Sequence, residues 1–258
     1  MTRKTAPGAG PATSRPGFPA RLASANPPKP LAKPMARTAA PAGVGLDSQA
    51  VRAGMVRRLA GQGVLSGEVL QAMAQIERHR FVDSALAGQA YEDTALPIGL
   101  GQTISKPSVV ARMLDLLVQG RTLPLGRVLE IGTGCGYQAA LLAQLASEVY
   151  SVERLRGLHE KARENLRPLR LANLHLLLGD GMQGYARGAP YAAIIAAAGG
   201  REVPSAWTEQ LAPGGRLIAP VERADGSQAL VLIDHTGSEL RQAVLESVHF
   251  VPLKSGVV

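Results

Sequence analysis

The chain has 258 residues, of which 46% are hydrophobic, enough for one substantial core and ordinary for a globular protein. No apolar run reaches the roughly 18 residues of a membrane-spanning helix, which argues against an integral membrane protein. Cys135 is the only cysteine, so an intrachain disulfide is excluded and a reducing, cytoplasmic environment is expected.

Positive charge is concentrated at the start of the chain. The net charge is +8, but residues 1–46 carry seven Lys or Arg and no acid, whereas the rest carries 21 basic and 20 acidic residues. Residues 1–45 also hold 9 of the 18 prolines, and we predict a disordered tail because little in them can pack. This tail is either passive, or it contacts acidic partners or serves in targeting. The nearly neutral remainder, residues 46–258, is predicted to form a single domain.

Two short helices are predicted at the start of this domain. Asp47 is the expected N-cap of a helix that runs to about Ala60, and Ser66 is the expected N-cap of the next helix. Gly61-Gln-Gly63 separates the two. Each helix carries an apolar stripe at helical spacing, formed by Val51, Met55 and Leu59 and by Leu70, Met73 and Ile76. We expect the pair to pack against the main domain.

Residues 78–108 contain few periodic apolar residues and many loop formers, which predicts an irregular segment. An irregular stretch of this length inside a compact domain usually serves function. Apolar residues at helical spacing follow over residues 109–117, and they predict a helix that leads through Gly120 and Pro124 to the first strand of a sheet.

Residues 127–137, RVLEIGTGCGY, form the strongest motif of the chain. A short apolar strand breaks into glycines at alternate positions, and a helical pattern follows over residues 138–146. Alternating glycines let the backbone approach a ligand closely. The dinucleotide fingerprint is G-x-G-x-x-G, whereas here Glu130 precedes G-x-G-x-G, and its carboxylate suits a cationic or zwitterionic ligand better than a pyrophosphate. A glycine-rich turn without any ligand is the alternative.

The rest of the chain alternates between strand and helix patterns. Strands are predicted at residues 148–152, 174–178, 191–198 and 215–219, a polar helix at 154–170, and an antiparallel pair at 228–235 and 239–251. Residues 174–178 are continuously apolar, which is typical of a strand buried on both faces. Together the elements predict an α/β fold with a mixed, mostly parallel sheet, helices on both faces and a C-terminal antiparallel hairpin.

Four separated motifs resemble one enzyme family. Residues 130–136, E-x-G-x-G-x-G, resemble the nucleotide loop of S-adenosylmethionine-dependent methyltransferases. Residues 95–107, ALPIGLGQTISKP, resemble the signature segment of the protein-L-isoaspartate (D-aspartate) O-methyltransferases, and residues 80–83 and 248–253 match the same family. The resemblance covers about residues 47–253. It implies a Rossmann-like methyltransferase fold, S-adenosyl-L-methionine as cofactor, and methylation of the free carboxylate of L-isoaspartyl or D-aspartyl residues in damaged proteins and peptides, which starts repair through a succinimide.

The predicted cofactor site draws on the glycine loop and on two later strand ends. A carboxylate at the end of the second strand, Glu153, can accept both hydrogens of a ribose diol, and the resemblance places Asp180 near the adenine amino group. A solvated acid at a helix start is the alternative for Glu153, and an ordinary Asp-Gly turn is the alternative for Asp180. The predicted cofactor-binding residues are Glu130, Gly132, Thr133, Gly134, Gly136, Glu153, Asp180 and Gly181.

Ser105 is the predicted catalytic residue, with Thr103 as its helper, because the resemblance assigns the active-site serine to position 105. Its hydroxyl can orient a carboxylate that is already ionised at neutral pH, so no general base is required. An ST-turn or a helix cap ahead of Pro107 is the alternative. Residues 250–253 resemble a strand that docks the substrate backbone by edge pairing, and a plain edge strand is the alternative. The predicted substrate-binding residues are Ile104, Ser105, Phe250, Val251, Pro252 and Leu253.

Several further expectations limit the function. Cys135 is expected to be a small side chain in a tight turn, and the five histidines show no metal-ligand spacing, so no metal site is predicted. Residues 196–201 depart from the family pattern of small residues followed by Pro. We expect a monomer that binds no membrane and no nucleic acid. A nucleic-acid methyltransferase, disfavoured by an aromatic content of 3%, and a cofactor-binding module without turnover are the alternative functions.

Overall fold

The computed structural model describes residues 48–258, so the tail predicted at residues 1–45 and the cap predicted at Asp47 lie outside the described residues. Helix α1 spans Ser48–Gly61 and helix α2 spans Gly67–Gln75. The side chain of Ser66 accepts a hydrogen bond from the Val69 amide at 3.2 Å and caps α2. Among the described residues, no helix has both the length and the apolarity that crossing a membrane requires.

The segment predicted to be irregular contains regular structure. Two 3-10 helices, Arg78–Phe81 and Ser84–Gln89, precede an antiparallel hairpin of strands β1, Leu96–Gly99, and β2, Gln102–Ile104. At its tip Leu100 has a φ of 53° and lies between two glycines that also have positive φ. The prediction was wrong here because strands of four and three residues are too short to show a period of two.

The remaining helices and strands follow the predicted order with bounds that differ by a few residues, and one short helix over residues 205–209 was not predicted. They are α3 Pro107–Val118, β3 Leu125–Ile131, α4 Tyr137–Leu145, β4 Ala146–Glu153, α5 Arg156–Leu166, β5 Leu174–Leu178, β6 Tyr191–Ala196, α6 Ser205–Glu209, β7 Leu211–Glu222, β8 Gln228–His235 and β9 Leu240–Val248. Short 3-10 helices, Arg167–Leu169, Gly181–Gln183 and Ala186–Gly188, lie on either side of β5.

Seven of these strands form one sheet in the order β5-β4-β3-β6-β7-β8-β9. The first five are parallel, and β8 and β9 pair antiparallel at one end. This arrangement confirms the mixed, mostly parallel sheet and the C-terminal hairpin. The chain runs from β3 outward to β5 and then crosses to β6 on the other side of β3, so the topological switch point lies between β3 and β6. Ligands of open α/β sheets bind outside the carboxyl ends of the strands at such a point.

Hydrophobic cores cover both faces of the sheet. Alternate residues of β3 belong to different cores, since Val128 packs in the core with α1 to α5 and Leu129 packs in the core with Trp207 of α6. The helices on both faces were predicted from the alternation of strand and helix patterns. This layering leaves the carboxyl ends of the central strands as the place where loops converge.

Strand β5 corrects one prediction. Its five residues, Leu174–Leu178, were predicted to be buried on both faces, but all of them are only half-buried. The physical reason is position, because within residues 48–258 β5 lies at the edge of the sheet and pairs only with β4. Leu176 packs against one core and Leu177 against the other. The continuous apolar run therefore reflects partial cover on both faces of an edge strand.

Candidate active site

A cavity of about 250 Å³ lies at the carboxyl ends of β3, β4 and β6. Its walls come from the β1–β2 hairpin, the glycine loop after β3, the start of α5 and the chain that follows β9. The predicted site residues that line it are Thr103, Ile104, Ser105, Gly132, Thr133, Gly134, Glu153, Gly181, Val251, Pro252 and Leu253. The structure therefore brings most of the predicted cofactor and substrate residues to one cavity.

Four predicted residues do not line this cavity. They are Glu130, Gly136, Asp180 and Phe250, and each makes contacts within the protein instead.

The glycine loop has a backbone that only glycine adopts without strain at its key positions. Gly132, Gly134 and Gly136 have φ values of 89°, 56° and 92°. A Cβ atom at Gly136 would lie 2.7 Å from Leu166 Cδ1, so this glycine lets the loop pack against α5. A Cβ atom at Gly134 would lie 3.3 Å from Ile98 Cδ1 of the hairpin. The loop is thus held between α5 and the hairpin with its backbone along the cavity.

Glu130 is fully buried behind the glycine loop. Ser151 donates a hydrogen bond to one carboxyl oxygen of Glu130, and the hydroxyls of Ser151 and Thr133 lie within hydrogen-bond distance of each other. Burial raises the pKa of Glu130 to about 8, against the opposing effect of the Ser151 hydrogen bond. Its other oxygen, Oε1, has no partner within residues 48–258. A positive charge in the adjacent cavity would favour the ionised carboxylate.

Glu153 lines the cavity with its carboxylate already oriented. The amides of Gly134 and Leu155 donate to its two oxygens, each at 2.9 Å, and the residue is 5% exposed. Each carboxylate oxygen can accept a second hydrogen bond. The group can therefore still accept the two hydroxyls of a diol while the backbone holds it in place.

Asp180 makes two hydrogen bonds within the protein. Its Oδ1 accepts from the Met182 amide at 2.9 Å, which caps the 3-10 helix, and its Oδ2 accepts from the Gly256 amide at 2.8 Å. The adjacent Gly181 lines the cavity, and a Cβ atom there would lie 2.7 Å from Ile131 Cγ2. The contact between Asp180 and a nucleobase stays a prediction.

Ser105 lies between β2 and α3 and lines the cavity. The N-cap of α3 is Lys106, which makes no side-chain capping bond, and Val110 donates to the Lys106 carbonyl. The first turn of the helix is held instead by Asp93, which accepts from the amide and the hydroxyl of Ser108 at 2.9 and 2.8 Å. The predicted alternative, a helix cap formed by Ser105, does not describe this geometry.

Residues 250–253 leave the sheet after β9 ends at Val248, so the prediction of one strand over residues 239–251 was too long. Gly199 pairs with this segment: its amide donates to the Val251 carbonyl at 2.8 Å and its carbonyl accepts from the Leu253 amide at 2.7 Å. The side chain of Gln228 bonds both backbone groups of Phe250. A Cβ atom at Gly199 would lie 2.6 Å from Gln228 Nε2, so a larger residue at this position would disturb the contacts of Gln228 with Phe250.

Two residues that the sequence did not single out also line the cavity, Tyr137 and Gln138. The hydroxyl of Tyr137 and Nε2 of Gln138 are buried, and neither has a hydrogen-bond partner in the described part of the chain. Both atoms are shielded from the open cavity, and the Gln138 side chain lies close enough to Glu130 to lower the pKa of that carboxyl. No sequence pattern identified them because both follow the glycine motif in a helix that reads as apolar packing. Cys135 also lines the cavity, but burial raises its pKa to about 11, so the thiolate is disfavoured.

The cavity thus offers a carboxylate that can accept a diol and a glycine cradle beside it, which together fit a nucleoside. Comparison with known proteins agrees with this geometry. Residues 50–258 match the family model described as protein-L-isoaspartate(D-aspartate) O-methyltransferase. A protein-L-isoaspartate O-methyltransferase of Methylibium petroleiphilum is 59% identical over 225 residues, which cover 85% of this chain and 83% of the relative.

Two further comparisons agree. A protein-L-isoaspartate O-methyltransferase of Leptothrix cholodnii is 58% identical over 229 residues, 88% of this chain and 81% of the relative. A structure from Plasmodium falciparum that is assigned to the same type of enzyme, solved with S-adenosyl-L-homocysteine, aligns with a TM-score of 0.70 and 25% identity over 79% of this chain and 98% of that chain. With a family model matched over most of its length and relatives this similar, the chain belongs to the protein-L-isoaspartate(D-aspartate) O-methyltransferase family.

Proposed function

We propose that the cavity holds S-adenosyl-L-methionine beside the carboxylate of a damaged residue, and that Ser105 orients this carboxylate for methylation. The activity is that of a protein-L-isoaspartate(D-aspartate) O-methyltransferase, with isoaspartyl and D-aspartyl residues of damaged proteins and peptides as substrates. The observation that carries the assignment of the site is that Ser105, Glu153 and the glycine loop line one cavity at the switch point of the sheet.

The cofactor side is proposed to be held by the glycine loop and by Glu153. S-adenosyl-L-methionine supplies a methyl group on a positively charged sulfonium sulfur. Glu153, fixed by two amides, accepts the ribose hydroxyls, while Gly132 and Gly134 allow the backbone to lie close to the ligand.

The substrate side is proposed to use Ser105 and Thr103. The carboxylate of the substrate has a pKa near 4 and is ionised at neutral pH, so no proton has to move before it acts as the nucleophile. A hydrogen bond from the Ser105 hydroxyl to one oxygen leaves the other oxygen free to form the new C–O bond as the C–S bond breaks. The chain contributes chiefly alignment, and holding two reactants in register contributes on the order of 7–11 kcal/mol.

Residues 251–253 are proposed to contact the main chain of the substrate, and Ile104 is proposed to contact the substrate beside Ser105. Val251, Pro252 and Leu253 line the cavity, and their pairing with Gly199 gives them an extended backbone. An isoaspartyl residue carries its free carboxylate directly on the carbon that bears its nitrogen, and its main chain is one methylene longer than that of aspartate. A rigid backbone contact can therefore distinguish an isoaspartyl residue from an aspartyl residue.

Because all of these residues come from one chain, a monomer suffices, and we infer that it acts in the cytoplasm.

Paired peptides test this proposal. The purified protein is incubated with methyl-labelled S-adenosylmethionine and either an isoaspartyl peptide or its aspartyl twin. We expect base-labile label on the isoaspartyl peptide only, a large loss of turnover in Ser105→Ala, and unchanged turnover in the control Ser205→Ala, which alters an exposed serine outside the cavity. Equal labelling of both peptides, label on added nucleic acid, or cofactor binding without transfer would each contradict the proposal.

A further inference from the structure

Arg78 is a buried cation that the proposed reaction does not use. It lies in the first 3-10 helix of the described chain, it is 0% exposed, and it does not line the cavity. An arginine keeps its charge in proteins, and burying that charge is costly unless hydrogen bonds and partners compensate it. Within residues 48–258 no carboxylate lies at ion-pair distance from Arg78. Burial accordingly lowers the pKa of its guanidinium.

Backbone carbonyls of the segment that ends at Ser105 compensate part of this charge, while Nη1 of Arg78 has no hydrogen-bond partner among residues 48–258. Nε of Arg78 donates to the Ala90 carbonyl at 2.7 Å, and one terminal nitrogen donates to the Ser105 carbonyl at 2.8 Å with a longer contact of 3.5 Å to the Thr94 carbonyl. The guanidinium carbon lies 5.0 Å from the ring centre of Tyr137, a cation–π contact. Arg78 therefore joins the substrate segment to the first residue of α4, directly after the glycine loop.

The bond to Ser105 reaches a carbonyl that no regular element holds. Strand β2 ends at Ile104 and the first hydrogen bond of α3 uses the Lys106 carbonyl, so Ser105 lies in the gap between the two elements. A guanidinium donates from a rigid, planar fork and can fix two carbonyls at once, whereas a lysine ammonium is a single point on a flexible stem. The geometry explains why arginine is suited to this position.

We propose that Arg78 is a positioning residue for methyl transfer, because its guanidinium fixes the backbone of Ser105 and so aims the Ser105 hydroxyl at the substrate carboxylate. This inference rests on the role proposed for Ser105 above. A displacement of about 1 Å at a reacting group can cost on the order of 100-fold in rate. Loss of the fork should therefore slow the chemical step while the cofactor side, which is held by Glu153 and the glycine loop, keeps its shape.

A double-mutant cycle tests the inference with four proteins: wild type, Ser105→Ala, Arg78→Lys and the double variant. Turnover and KM are measured with an isoaspartyl peptide, and Kd is measured with S-adenosyl-L-homocysteine. We expect Arg78→Lys to lower kcat by about 10- to 100-fold and to change Kd by less than about twofold. Because Arg78 acts through Ser105, the same change in the Ser105→Ala background should lower kcat by less than about threefold. Arg80→Lys, an exposed arginine of the same 3-10 helix, is the matched control and should behave as wild type.

The outcomes separate this inference from the proposal on which it rests. Full activity of Ser105→Ala would remove the proposed role of Ser105 and the inference with it. If Ser105→Ala is slow, three results would overturn only the inference on Arg78. Arg78→Lys could be fully active, it could lower kcat by the same factor with and without the Ser105 hydroxyl, or it could raise Kd for S-adenosyl-L-homocysteine by as large a factor as it lowers kcat. Arg78→Gln repeats the test with a neutral donor if the lysine variant does not fold. Failure of both variants to fold would show a role in folding and would also overturn the inference.

Discussion

Replacing Glu130 by Gln tests how one buried carboxyl couples folding to pH. The pKa of Glu130 is about 8 in the folded protein against 4.5 for the unperturbed group. A folded-state pKa above the unfolded one means that the folded protein binds more protons between these values, so stability is fully present below pH 4.5 and is lost as pH rises through 8. A difference of about 3.5 units corresponds to roughly 5 kcal/mol at most. Because Gln cannot ionise, Glu130→Gln should lack this loss.

The assay is urea unfolding without cofactor at pH 5, 6.5, 8 and 9, with the free energy of unfolding compared between wild type and Glu130→Gln at each pH. We expect the difference between the two proteins to move in favour of the variant by several kcal/mol between pH 5 and pH 9. Glu92→Gln, which changes an exposed glutamate, is the control and should follow the wild type at every pH. A difference that stays constant with pH would refute the reasoning, because it would show that Glu130 is not held neutral by burial.

Three further predictions concern the cofactor loop and the start of the chain. Glu153→Gln should weaken S-adenosyl-L-homocysteine binding by at least about tenfold in calorimetry, since one of its oxygens becomes a donor, and unchanged Kd would contradict the ribose assignment. Gly136→Ala should lower the free energy of unfolding by about 2 kcal/mol or more in urea, because φ is 92° and the added Cβ meets Leu166. Deleting residues 1–43 should leave Tm and peptide methylation unchanged, and a fall in either would show that these residues belong to the domain.

Sequence reasoning succeeded where the determinants of structure are neighbours in the chain. The glycine loop was identified from residues 127–137 because strand, turn and helix are contiguous there. In the structure all three glycines of this loop have positive φ. The helix cap at Ser66 was found for the same reason, since the capping side chain and the amide that donates to it are three residues apart. Local propensity and capping act over a few residues, which is the range that a pattern can show.

The sequence did not show features that depend on residues far apart in the chain. Nothing within residues 174–178 indicates that no strand pairs with their outer edge, so an edge strand was taken for a central one. The contact of Asp180 with Gly256 spans 76 positions and that of Phe250 with Gln228 spans 22 positions. Such partners are set by the order of strands in the sheet. The pattern of apolar residues that predicted the fold carries no information about them.

The proposed cofactor and substrate sides of the site are therefore held in place by different means, so substitutions should affect the two sides differently. The proposed cofactor side is built on a contiguous strand, loop and helix, and Glu153 accepts hydrogen bonds from the backbone of that loop and of Leu155. The proposed substrate side depends on Arg78, which reaches carbonyls 12 and 27 residues away across a segment of two 3-10 helices and a short hairpin. A segment with few ladder hydrogen bonds opens locally at lower free energy than a central strand. Substitutions in residues 78–105 should accordingly impair acceptance of the methyl group before they impair cofactor binding, and a variant of this segment that loses S-adenosyl-L-homocysteine affinity first would contradict that order.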